Sequence, residues 1–239
     1  MLRLAAAAMA ALLSITPAGA DDSVDAHWGA RLAMIQLHAL QIPAGGVDAI
    51  VLGDSHSESF YWTKIGTCDV VNAGFGWGRI DTLAARAAAI ANYTRPEVVH
   101  LMIGGNDIGA WSSDPATWPL AQANIDLQTI FDAFAPYGSK FVVWPIPPVG
   151  VEVGATYPLD RRAALNSVLA SKATQNGARW DWWWPNTITQ GPNVGGVVTN
   201  GWAIPRALIA DHLHFAGSTN NSRRDRIAVW HTTLGISCP

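Results

Sequence analysis

The feature that most constrains the fold is an alternation of short apolar, β-branched runs with longer segments rich in Ala and Leu. The short runs predict strands and the longer segments predict helices. Near-continuous apolar character is typical of parallel strands that are buried on both faces of a sheet. Helices that connect such strands cover both faces. We therefore expect an α/β sandwich.

The predicted elements follow this alternation through the chain. Strands are expected at 47–52, 69–71, 98–103, 140–144 and 178–182. Helices are expected at 25–40, 57–65, 81–93, 120–134, 159–176 and 218–234. Gly, Pro and Asn are frequent in 145–158 and 184–205, which predicts two long surface loops.

The first twenty residues are typical of an export signal. Arg3 precedes an apolar run at 4–15, and small residues at 18–20 lead to Asp21. The run is shorter than the roughly 20 residues that cross a bilayer, so we expect cleavage near Ala20 rather than a stable membrane span. This predicts a signal peptide at 1–20, one catalytic domain at 21–239, and a periplasmic or secreted location.

Charge and cysteine content bear on partners and compartment. The formal net charge is −3, which gives no reason to expect nucleic acid as a partner, because such binding rests on clustered Lys and Arg that neutralise phosphates. An oxidising compartment permits a disulfide between Cys68 and Cys238, but their spacing leaves the pairing open.

A first chemical motif, Gly53-Asp54-Ser55, directly follows the first mature strand. A hydroxyl there lies at the carboxyl edge of the sheet, where open α/β folds bind ligands. The helix that follows can offer backbone N–H groups to a developing negative charge. A simpler interpretation is that Asp54 and Ser55 only cap that helix.

A second motif, Asp211-His212-Leu213-His214, precedes the last helix. A carboxylate three residues before a histidine can fix its tautomer, which leaves the other ring nitrogen to take a proton from serine. The alternative is a metal site made by Asp211, His212 and His214, but no further His or Cys cluster completes it. We therefore favour a triad and expect no metal.

Two further segments follow strands. Gly104-Gly105-Asn106-Asp107 places a carboxamide where it could donate to an oxyanion, although an ordinary turn also uses these residues. The segment from Gly74 to Gly78 has alternating glycines but lacks a nucleotide-binding pattern, so a backbone N–H that faces Ser55 is the simpler interpretation.

In this order, the four segments resemble the signature blocks of the SGNH (GDSL-type) hydrolases, over residues 48 to 215. The resemblance implies a flavodoxin-like, three-layer α/β/α fold with about five parallel strands. It also implies that Ser55 is the nucleophile, His214 the general base and Asp211 its orienting carboxylate. The oxyanion hole would comprise the Ser55 N–H, a glycine N–H of the second block and the Asn106 side chain.

One position departs from the family pattern. The family's oxyanion glycine often lies five residues after Asn72, and Trp77 occupies that place between Gly76 and Gly78. We select Gly76 as the donor, since a backbone N–H is what the function requires.

The resemblance implies a serine esterase that needs no cofactor and acts through an acyl-enzyme. Several of the 12 Trp residues lie near the expected rim of the site, where they could stack on sugars or could simply pack. We take Trp77, Asp107, Trp111 and Trp202 as candidate substrate-binding residues, and deacetylation of carbohydrate as the favoured activity. Lipid or small-ester hydrolysis, acyl transfer and a catalytically inactive carbohydrate-binding module are the alternatives.

Overall fold

The fold is described from a computed structural model. The structure describes residues 22–42, 46–113, 120–149, 156–181, 189–190, 202–203, 213–236 and 238. The predicted signal peptide at 1–20, the predicted cleavage point and Asp211 lie outside the described residues, as does most of the predicted loop at 184–205.

A six-stranded sheet forms the centre of the molecule, with the strand order β2-β3-β1-β4-β5-β6. The strands are β1 (Ala49–Gly53), β2 (Lys64–Ile65), β3 (Cys68–Gly74), β4 (Val98–Met102), β5 (Lys140–Val143) and β6 (Arg179–Trp180). Five of them pair in parallel, and only β2 lies antiparallel, on β3. The parallel part has the flavodoxin-like order, which confirms the expected fold class.

Seven helices are described around this sheet. They are α1 (Asp22–Gln41), α2 (Ser55–Glu58), α3 (Ile80–Thr94), α4 (Gly105–Ser113), α5 (Leu120–Phe134), α6 (Leu159–Gln175) and α7 (Gly217–Leu234). One face of the sheet packs on α1, α3, α5 and α6, and the other face packs on α7. Within the described part of the chain, no helix combines the length and hydropathy that a bilayer crossing requires.

The side chains of β1 show why these runs form central strands. Ile50 and Leu52 point into the larger core, while Ala49 and Val51 point into the core beneath α7. All five residues of β1 are buried, and so are all five of β4. A strand that is buried on both faces favours near-continuous apolar residues, which is the pattern of β1 and, apart from the buried His100, of β4.

One helix boundary, one unexpected helix and one unexpected strand pair distinguish the structure from the prediction. The helix expected at 57–65 ends at Glu58, and residues 64–65 form the short edge strand β2 instead. The segment expected as a turn, Gly104 to Asp107, leads directly into α4. Tertiary contacts override the low helix propensity of Gly and Asn here. In the predicted loop at 184–205, Thr189–Gln190 pairs antiparallel with Trp202–Ala203.

A disulfide joins Cys68, the first residue of β3, to Cys238, beyond the end of α7. Their Cα atoms lie 4.7 Å apart, across a sequence separation of 170 residues. The bridge answers the question that cysteine spacing left open, and it ties the segment after α7 to the sheet.

Candidate active site

Three of the sequence motifs meet because their strands are neighbours. Gly53 at the end of β1 pairs with Gly74 at the end of β3 and with Met102 at the end of β4. Parallel strands end at the same edge of the sheet, so the segments that follow them lie side by side. This edge is the candidate active site.

The turn after β1 presents Ser55. Gly53 has a φ of 146°, and a Cβ atom at this position would overlap the Met102 carbonyl oxygen, so a side chain is excluded there. Asp54 then caps α2 by accepting a hydrogen bond from the His56 N–H at 3.0 Å. Ser55 is therefore the first residue of a short helix, at the carboxyl end of a buried strand.

His214 reaches Ser55 from the other end of the chain. Its Nε2 lies 2.9 Å from the Ser55 Oγ, across 159 residues of sequence. The next residue, Phe215, is buried in the core beneath α7, and its ring packs 4.5 Å from that of His56. This anchor holds the segment that carries His214 against the nucleophile turn. Nε2 is thereby held at hydrogen-bond distance from the Ser55 hydroxyl.

The second motif is held by Glu58 at the end of α2. The Gly76 N–H donates to Glu58 Oε2, and His27 and Arg31 of α1 lie 3.1 Å and 3.6 Å from Oε1. The Gly76 N–H, selected from sequence as an oxyanion donor, is thus engaged by a carboxylate. The next residue, Trp77, has a φ of 58°, in the left-handed region that glycine favours.

The third motif carries Asn106, whose Nδ2 donates to the Gly78 carbonyl at 3.0 Å. This hydrogen bond joins the second and third motifs and orients the carboxamide. An amide nitrogen has two hydrogens, so one remains for a substrate oxygen. The neighbouring Gly105 N–H bonds to Asp54, which ties the third motif to the nucleophile turn as well.

Asp107 has a structural place in the fold. Its side chain is fully buried, and Oδ1 accepts a hydrogen bond of 3.1 Å from the Ile80 N–H at the start of α3. Burial raises the pKa of Asp107 to about 8, despite that hydrogen bond. The sequence suggested a substrate contact, but this geometry instead secures the α3 terminus beside the site.

The raised pKa of Asp107 leads to a prediction about stability and pH. In the folded protein, the Asp107 carboxyl holds its proton more tightly than an ordinary carboxyl of pKa 3.8. The contribution of this carboxyl to the free energy of unfolding is therefore complete below that pH and is lost as the pH rises to about 8. Asp107→Asn does not titrate. We expect the free energy of unfolding of the wild-type protein to fall between about pH 5 and about pH 8, and that of Asp107→Asn to fall by on the order of 2 kcal/mol less over the same range. Urea unfolding at both pH values measures the two changes.

Asp81→Asn is the matched control, since Asp81 lies in the first turn of α3 but is partly exposed and pairs with Arg79. The Asp81 charge adds a smaller contribution than burial to the raised pKa of Asp107, so Asp81→Asn should reduce the dependence on pH much less than Asp107→Asn does. An unchanged pH profile in Asp107→Asn would contradict the assignment.

The candidate tryptophans differ in their surroundings. The Trp77 side chain is 64% exposed and meets the His27 ring edge-on at 5.7 Å, so its face is open to a ligand. Trp111 packs against the core, with the Arg161 guanidinium 5.0 Å from its ring, which is a packing arrangement. Trp202 lies in β8 (Trp202–Ala203), which pairs with β7 (Thr189–Gln190), and the structure does not describe its side chain.

Arg223 of α7 is a buried residue of the site that the sequence analysis missed. Its guanidinium donates to the His56 carbonyl at 2.9 Å and to the Ser57 Oγ at 3.4 Å. Burial raises the pKa of Asp54 to about 6, and the Arg223 charge opposes that rise. Arg223 lies four residues before the buried Ile227, so the two side chains share one face of α7. That spacing is the signal in the sequence that could have identified Arg223 as buried.

Comparison with known proteins supports the fold. No protein-family model matches the sequence, and no curated protein matches it. Among solved structures, the chain is similar to a GDSL-like lipase from Bacteroides thetaiotaomicron (TM-score 0.68, 11% identity, 85% of this chain and 98% of that one). It is also similar to a lipase/acylhydrolase from Enterococcus faecalis (0.60, 14%, 80% and 97%) and to an acetyl xylan esterase (0.60, 16%, 76% and 98%). The architecture is therefore the fold of GDSL-like lipases and acylhydrolases.

Proposed function

We propose that this protein is a serine hydrolase of carboxylic esters. The observation that carries the proposal is the 2.9 Å distance between His214 Nε2 and Ser55 Oγ at the carboxyl edge of the parallel sheet. A serine and a histidine at hydrogen-bond distance form an activated nucleophile. The similar solved structures, described as a lipase, an acylhydrolase and an acetyl xylan esterase, carry ester chemistry on the same fold.

In the proposed reaction, the Ser55 Oγ attacks the ester carbonyl while His214 Nε2 takes its proton. His214 then returns that proton to the leaving alcohol, and an acyl-enzyme forms. Water, deprotonated by the same nitrogen, releases the acid and regenerates Ser55. We assign Asp211 as the carboxylate that orients His214, on the spacing of the fourth motif. The proposed chemistry uses protein groups alone.

The oxyanion of each tetrahedral intermediate needs donors that are positioned in advance. We assign this role to the Ser55 N–H, the Asn106 carboxamide and an N–H of the second motif. Trp77 is now the better candidate than Gly76, because the Gly76 N–H donates to Glu58. The positive φ of Trp77 and its place five residues after Asn72 support this choice.

For the natural substrate, we propose acyl groups, above all acetyl, on carbohydrate outside the cytoplasm. The exposed Trp77 ring supports a sugar-binding rim, since flat aromatic faces stack on sugar rings. The Cys68–Cys238 disulfide supports an oxidising compartment and, with it, the predicted signal peptide. Lipid or small-ester hydrolysis and acyl transfer to a sugar use the same acyl-enzyme.

Covalent trapping tests the nucleophile directly. We expect diethyl p-nitrophenyl phosphate to add one diethylphosphoryl group to the protein, and peptide mass spectrometry to locate it on Ser55. Ser59, four residues away and exposed, is the internal control and should stay unlabelled. Labelling at another residue, or none in a folded sample, would contradict the proposal.

The same sample can rank the substrates. Hydrolysis of p-nitrophenyl acetate well above that of long-chain p-nitrophenyl esters would favour a deacetylase, and the reverse order would favour a lipid esterase. A sugar acceptor that diverts the acyl group from water would indicate a transferase.

A further inference from the structure

A cavity lies beside the proposed nucleophile. Three of its lining residues are His56, Gly105 and Leu213. In sequence, each is adjacent to a proposed site residue: Ser55, Asn106 and His214, respectively. Its wall also includes the apolar Ile146 and two polar side chains, those of Tyr157 and Arg162. A group bound here would lie next to the segments that carry Ser55, Asn106 and His214.

Arg162, in the first turn of α6, contributes a half-buried cation to this cavity. Its Nη1 atom is buried, and the described part of the chain provides that atom with no hydrogen-bond partner. Burial lowers the pKa of Arg162 to about 10, so the guanidinium remains charged at neutral pH. An unpaired buried charge is costly, which makes this position unusual for a purely structural arginine.

The neighbouring arginines are engaged elsewhere. Arg161 donates to the Trp111 carbonyl and lies over the Trp111 ring. Arg223 donates to His56 and Ser57. Within the described residues, Arg162 differs from both in that no hydrogen bond engages its guanidinium and in that it lines the cavity.

Tyr157 adds a second donor. Its ring lies against α4 at Gly109, where a Cβ atom would come within 3.3 Å of it, so the glycine permits the close approach. Burial, with a smaller contribution from the negative charge of Asp54, raises the pKa of the Tyr157 hydroxyl. The hydroxyl therefore keeps its proton at neutral pH and can donate a hydrogen bond.

We infer that this cavity binds a carboxylate of the substrate, and that the natural ester is anionic. The inference rests on the proposed ester hydrolysis and names its substrate class: an acylated sugar acid, or a half-ester of a dicarboxylic acid. A planar guanidinium matches the two oxygens of a carboxylate. The bound anion supplies a negative charge to pair with the positive charge of Arg162.

Two pairs of matched esters test the inference and locate the charge. In the first, 4-acetoxybenzoate and its methyl ester differ in charge on the alcohol side. In the second, monophenyl adipate and its methyl ester differ in charge on the acyl side. We expect the charged member of one pair to have a kcat/KM at least about tenfold above its neutral partner. Arg162→Met should remove that preference, measured as the ratio of the charged to the neutral kcat/KM within each pair.

Two further variants separate recognition from structure. Arg162→Lys keeps the charge without the planar fork and should restore part of the preference. Arg161→Gln, at the adjacent position, should leave the charged-to-neutral ratio unchanged. Arg162→Met should also unfold at the wild-type temperature or above, because it removes an unpaired buried charge.

A binding measurement keeps this inference separate from the proposed hydrolysis. Calorimetric titration with 4-hydroxybenzoate and with adipate should show binding of one of them to the wild-type protein and none to Arg162→Met. If no ester is cleaved but this binding depends on Arg162, the anion site stands and the proposed function fails. If neutral esters are cleaved while neither rate ratios nor binding depend on Arg162, the proposed function stands and the anion site is wrong.

Discussion

Ser55→Ala and His214→Ala will each lower kcat/KM for p-nitrophenyl acetate by at least about a thousandfold. Ser55→Ala removes the atom that forms the acyl-enzyme. His214→Ala removes the nitrogen that lies 2.9 Å from that atom and accepts its proton. The double variant should be no slower than the slower single variant, because the two side chains act in one step. Initial rates at saturating and subsaturating ester give the comparison.

Ser59→Ala and His38→Ala are the controls for this experiment. Ser59 lies at the end of α2 and is exposed, and His38 lies in the last turn of α1, about three helical turns beyond His27. Both controls should retain activity within about threefold. Circular dichroism should show all four single variants folded. A folded Ser55→Ala protein that cleaves the ester at the wild-type rate would rule out the serine mechanism.

The second large effect is expected at Arg223. This guanidinium is fully buried between α7 and the nucleophile turn, with the rings of Phe60 and Trp144 at 5.5 Å and 5.7 Å. Arg223→Leu leaves the His56 carbonyl without its donor and Asp54 without its nearest compensating cation. Breaking a buried charged network in this way costs about 3–5 kcal/mol of unfolding free energy. Urea unfolding measures this loss.

Arg223 acts on the reaction through the backbone that positions Ser55. Arg223→Leu should therefore lower kcat by about tenfold or more under conditions where it is folded, with a smaller change in KM. Arg223→Lys should recover part of the stability, since an ammonium can reach one acceptor but lacks the fork.

Arg224→Ala, one residue further along α7, is the matched control. Arg224 is partly exposed and pairs with Asp225 on the surface, so its loss should cost less than about 1 kcal/mol. Equal losses of stability at Arg223 and Arg224 would show that the buried network has no special role.

The helices and strands that follow strong periodic patterns were predictable from sequence. Helix α5 occupies 120–134 as expected, α6 and α7 differ from their predicted bounds by one residue at one end, and α3 differs by one residue at each end. The failures lie at the site. Helix α2 stops at Glu58, where the Asn72 carboxamide donates to the Glu58 and Phe60 carbonyls and holds the chain in a turn. That contact crosses 14 residues, so local propensity does not encode it.

The sequence by itself determined the chemical groups: a serine after a buried strand, a histidine before the last helix, and the order of motifs that resembles SGNH hydrolases. Those features are local or ordered along the chain, so a linear pattern retains them. Only the tertiary structure decided that His214 reaches Ser55, that Glu58 engages the Gly76 N–H, and that Arg162 Nη1 is buried with no hydrogen-bond partner among the described residues. These relations depend on hydrogen bonds and burial between residues far apart in sequence, and both exist only when the sheet and its helices are packed.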